Sequence, residues 1–161
     1  MSVDTKKAAG RRDVRYQSYD DLLADAQRLA AGPTTTVGNW TLGQILFHLA
    51  KSIEASIDGI PFKAPWLMRL VAKLFMKKKF IYKSVPPGFK LPATAAAKYT
   101  GDPSVDAQEA LAALSAAIDR ANGTAQRGDH PAFGKLTREE WDSFNLRHAE
   151  MHMSFVKAAG E

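Results

Sequence analysis

The chain has 161 residues, of which 45% are hydrophobic and 24% charged, and no cysteine. That is enough for one ordinary core, and it excludes disulfide scaffolds, thiol catalysis, iron–sulfur clusters and cysteine-ligated zinc, so any metal falls to His and carboxylates. The formal charge of +5, from 22 Lys and Arg against 17 Asp and Glu, is mildly basic and serves solubility before it argues for an anionic partner.

A single domain is expected over residues 1–161, with 1–15 as a flexible N-terminal segment that is polar and charged through Arg12. No stretch approaches the ~20 apolar residues of a membrane span, and a cytoplasmic location is the simplest expectation. Ser18 with Asp21 opens a first helix through Leu22, Leu23, Ala26 and Leu29, and Gly32-Pro33 ends it. Thr41 with Gln44 forms a capping box for a second helix, with Leu42, Ile45, Leu46, Leu49, Ile53 and Ile57 at helical spacing and Gly59 and Pro61 as the stop.

Pro65 suits the first turn of a short accessory helix from Trp66 to about Lys79, with Leu67, Leu70, Val71, Leu74 and Phe75 apolar and Arg69, Lys73 and Lys77 polar. Its closing lysines, Lys77 to Lys79, complement the helix dipole and stay solvated. With no extended basic stripe interleaved with aromatics, neither nucleic acid nor membrane is expected as a partner. Val85 to Pro103 holds too many Pro and Gly for a regular element and reads as an ordered surface connection. Asp102 or Ser104 is the expected cap of a helix through Val105, Leu111, Leu114 and Ile118, closed by Asn122-Gly123. Thr137 with Glu140 starts a last helix carrying Trp141, Phe144, His148, Met151, His152 and Phe155 on one side. No alternating strand pattern of useful length occurs, so the expected fold is all-α: a four-helix bundle with an additional short amphipathic helix.

Three of the four histidines fall on the two best-defined helices. His148 and His152 lie four apart, about 40° from each other around the axis, inside the apolar stripe, so both reach one ion. His48 follows Ile45 by about one turn and supplies a third nitrogen from a facing helix. Three imidazoles match an open metal site with a position left for water, and the alternative is that they satisfy one another or buried water. Glu150 lies about 200° from His148, which rules out the zinc-protease arrangement and places it on the solvent side. Ser52 and Asn145, one turn from His48 and His148, are candidates for orienting a substrate or supporting the site by hydrogen bonds, with helix packing as the competing role. His130 reads as a loop residue outside the metal set, and Trp40 and Trp141 as core.

The segments GNWTLGQILFHLAKSIEASIDG, PFKAPW, PPGFKLP and HPAFGKLTREEWDSFNLRHAEMHMSF make the chain resemble the DinB/YfiT-like superfamily of metal-dependent bacterial bundles, and within it a domain family of unknown function. The resemblance implies that His48, His148 and His152 coordinate a divalent ion, nickel or zinc first, with iron or manganese as alternatives. It also implies a small-molecule substrate or ligand, such as the low-molecular-weight thiols used by characterised S-transferases and isomerases of the superfamily. The expected function is metal-assisted transfer or hydrolysis. The alternatives are a non-catalytic metal- or ligand-binding module and a structural bundle without metal, and a homodimer is plausible through the Trp66 to Lys79 face.

Overall fold

A computed structural model describes residues 3–61, 63–88 and 98–161. The order is α1 (Tyr19–Ala30), β1 (Thr34–Thr36), α2 (Leu42–Asp58), α3 (Trp66–Val71), a π-helical turn (Ala72–Met76), α4 (Lys77–Tyr82), α5 (Ala107–Gly123), α6 (Arg138–Met153) and β2 (Val156–Ala158). The fold is mostly helical, as expected, with one small sheet that the sequence did not announce. In it β1 pairs antiparallel with β2, Thr35 opposite Lys157, and so joins the end of α1 to the end of α6.

The capping boxes form at Ser18, Thr41 and Thr137, each side chain accepting from the third helical N–H and each third residue reaching back. Gly59 ends α2 at φ 88, a left-handed backbone that glycine adopts without a Cβ penalty. The cap of α5 is Asp106, not Asp102 or Ser104: its carboxylate accepts from the N–H groups of Gln108 and Glu109. Asp102 instead closes its own turn, accepting from the N–H and hydroxyl of Ser104. Residues 89–97 of the connection lie outside the described residues.

Leu22 and Leu29 of α1, Ile45, Leu46 and Leu49 of α2, Leu114 and Ile118 of α5, and Met153 of α6 meet in the main core. A second cluster gathers Phe80 and Ile81 of α4 with Phe133, Leu136 and Trp141. The accessory segment, expected as one helix from Trp66 to about Lys79, is broken by the π turn into α3 and α4. Every residue of α3 lies outside the core, and the π turn inserts one residue into the helical register, so that Phe80 and Ile81 turn inward while Leu74 and Phe75 stay in solvent. Of the nine large apolar side chains exposed among the described residues, eight lie between Trp66 and Tyr82.

Residues before α1 cross the outside of α6. The Arg12 guanidinium donates to both Asp25 oxygens and to the carbonyls of Met153 and Val156. No helix among the described residues is long and apolar enough to cross a membrane.

Candidate metal centre

His48 is buried near the middle of α2, and His148 and His152 are half-buried on consecutive turns of α6, which packs against it. Their Nε2 atoms converge: His148 Nε2 lies 3.3 Å from that of His48 and 3.1 Å from that of His152. The ring nitrogens offered by the three residues all fall within 4.8 Å of one another.

His48 Nδ1 stands 2.8 Å from the Tyr99 carbonyl. A carbonyl only accepts, so the His48 proton belongs on Nδ1, and its Nε2 presents a lone pair to the cluster. Neutral imidazoles then leave His148 Nε2 in a conflict. If it donates to His48 it has no lone pair for His152, and if it accepts from His152 it sets lone pair against lone pair with His48.

A fourth proton does not relieve this, because burial lowers all three basicities. His48 is lowered by burial against the weaker opposing effect of the Tyr99 carbonyl, His148 goes down to about 3 through burial and then its neighbours His48 and His130, and His152 falls well below its ordinary value through burial and then His148, His48 and Arg11. Three lone pairs aimed at one cation satisfy all three Nε2 atoms. The observed spacings also fit: ligand bonds of about 2.0–2.1 Å in a tetrahedral set place nitrogens about 3.3 Å apart. The residues present therefore suit a divalent ion held by three Nε2 atoms.

Around the imidazoles stands an aromatic wall. Trp40 stacks on His152 at 5.1 Å and 3° and tilts against His48 at 5.0 Å, while Phe144 stacks on His148 at 6.1 Å. Trp40 packs against the main core as expected and also lines the site, and Trp141 is core as expected, its Nε1 donating to the Gly128 carbonyl. Arg11 donates to the Ser154 hydroxyl and the Met151 carbonyl and lies over the Phe155 ring at 4.3 Å. Its hydrogen-bond partners here are a hydroxyl and a carbonyl, not a carboxylate, and its charge lowers the basicity of His152. Only its place beside the Phe155 stripe, not its local sequence, could have signalled it.

Ser52 and Asn145 sit one turn from the ligands, but their hydrogen bonds run elsewhere. Ser52 donates to the His48 carbonyl along the helix, and Asn145 donates to Tyr19 and Ser56. His130 stands apart from the three, stacked on Phe133 at 4.4 Å, its Nδ1 accepting from the N–H groups of Ala132 and Phe133. Glu150 corrects the solvent-side expectation. It is buried, accepting from the Tyr16 N–H at 2.7 Å and pairing with Arg147 at 2.7 Å, because the segment before α1 covers that side of α6.

Residues 8–159 match the family described as "Protein of unknown function (DUF1569)". The chain belongs to this family. No curated protein matches it, and no solved structure does. This DUF1569 chain carries a candidate three-histidine centre at His48, His148 and His152.

Proposed function

We propose that this DUF1569 protein is a DinB-like four-helix bundle that holds a divalent metal on His48, His148 and His152 and carries out metal-assisted transfer or hydrolysis on a small molecule. The observation that carries the reading is the convergence of three Nε2 atoms at 3.1 and 3.3 Å, with the His48 proton drawn away to the Tyr99 carbonyl. When bound, a nickel or zinc ion supplies Lewis-acid activation of a carbonyl and of a water or thiol nucleophile.

The chain's own residues supply the rest. Tyr99 fixes the orientation of His48, and Trp40 and Phe144 hold the rings of His152 and His148 and exclude water from their faces. Arg11 presents a guanidinium to an anionic group of the substrate. No Asp or Glu joins the cluster among the described residues, so proton removal has no carboxylate base there. A thiol, far more acidic than water, needs less help to ionise, which favours thiol transfer over hydrolysis. The same observation supports a second reading, a module that holds metal or ligand without turnover.

The test strips the protein with chelator, reloads nickel or zinc, and assays a low-molecular-weight thiol with an electrophilic aryl halide, beside p-nitrophenyl esters. Metal-dependent turnover lost in His148→Ala supports the enzyme. Stoichiometric metal with no turnover supports the binding module, and failure to take up either ion overturns both.

A further inference from the structure

The segment running from the end of α2 to the start of α5 has an unusual charge. Between Gly59 and Gly101 lie nine of the chain's 22 Lys and Arg and none of its 17 Asp and Glu. The remainder of the chain is net acidic, so the positive charge of the molecule is concentrated in this one stretch. Lys63, Lys73, Lys78, Lys79 and Lys83 are exposed, and Lys77 alone in the run is neutralised, by Glu140 at 2.8 Å.

The same stretch carries the exposed apolar side chains. Trp66 is 75% exposed, Leu74 66% and Phe75 77%. At 100° per residue, Trp66, Leu70, Leu67, Val71 and Met68 spread over about 200° of the circumference of α3, and Arg69 lies on the remaining side. A broad apolar arc that stands clear of the core, on a stretch with nine cations and no acid, suits an amphipathic element lying in an anionic lipid interface. A two-fold contact between copies would set the lysines of one chain against those of the other. Aromatic and aliphatic side chains ringed by lysines, with no acid among them, complement a surface that is apolar below and anionic above.

We infer that α3, the π turn and α4 dock this protein on anionic lipid bilayers, with Trp66, Leu67, Leu74 and Phe75 entering the interface and Lys73, Lys78 and Lys79 facing the headgroups. This reverses the expectation of no membrane partner, which rested on the absence of an extended basic stripe interleaved with aromatics. The inference is independent of the metal reading.

Tag-free full-length protein is sedimented with vesicles of 70% phosphatidylcholine and 30% phosphatidylserine, and with vesicles of phosphatidylcholine alone. Binding at least tenfold tighter to the serine-containing vesicles, weakened by 0.5 M NaCl, is expected. Leu74→Asp/Phe75→Asp should lower it at least tenfold, and Lys73→Ala/Lys78→Ala/Lys79→Ala on the order of a hundredfold, at about fivefold per lysine. Both sets replace exposed side chains, so unchanged circular dichroism melts will show that folding is intact. No binding, equal binding to both vesicles, or indifference to the substitutions would overturn the inference. So would a dimer by light scattering that Phe75→Asp dissociates, since a second copy would then be the occupant.

Discussion

At His130 the imidazole does the work of a turn. Its Nδ1 accepts two backbone N–H groups and its ring lies among Phe133, Trp141 and Phe144. Burial takes it down from 6.5 to about 4. The unfolded chain therefore binds this proton before the folded chain does, so the contribution is intact above pH 6.5 and is lost as pH falls toward 4. Between pH 7 and pH 5 the loss is about 2 kcal/mol. His130→Asn keeps an acceptor for the two N–H groups without titrating there. Urea unfolding should show wild type losing about 2 kcal/mol relative to this variant over that range, and parallel pH profiles would contradict the assignment. Glu150 is the other residue whose role depends on packing: as the partner of buried Arg147 and of the Tyr16 N–H, its replacement by Ala should cost about 3 kcal/mol in the same measurement.

At the scale of elements, α1 and α2 were legible because each starts with a capping box and then repeats apolar residues at helical spacing; α6 was legible from its capping box, while its buried side carries Asn145, Arg147 and Glu150 beside Trp141, Leu146 and Met153. The metal candidates were legible for the same reason, since a known helix face fixes which histidines converge. The β1–β2 sheet was not, because Thr-Thr-Thr and Val-Lys-Ala are too short to show a two-residue period. Glu150 was misplaced, and the contact of Trp40 with the histidines missed, because their surroundings come from distant chain, the segment before α1 and the histidine cluster. For the Trp66 to Lys79 segment the pattern marks a helix, but it shows neither the π turn that breaks it into α3 and α4 nor which side meets the body of the protein. Close packing of α2 on α5 was also invisible in sequence: a Cβ on Gly43 would overlap the Val105 carbonyl. Gly43→Ala should therefore lower stability by about 2 kcal/mol, despite the gain of about 1 kcal/mol in helix propensity. A neutral or stabilising outcome in thermal melts would mean that the helices are further apart.

For the whole molecule, the site links parts that are remote in the chain. His48 comes from α2, His148 and His152 from α6, Trp40 from the loop after β1, and Tyr99 from the connection before α5. An ion bound there binds the folded state alone, so free metal at a hundred times its Kd should add about 2.7 kcal/mol and raise Tm by about 5–10 °C. His148→Ala should abolish that shift, and His130→Ala should keep it. The most direct test is elemental analysis of tag-free protein purified without chelator, beside the His148→Ala/His152→Ala double variant. Near-stoichiometric divalent metal in the wild type and its loss in the double variant is the predicted result. A wild type that takes up neither nickel nor zinc on reloading would contradict the account.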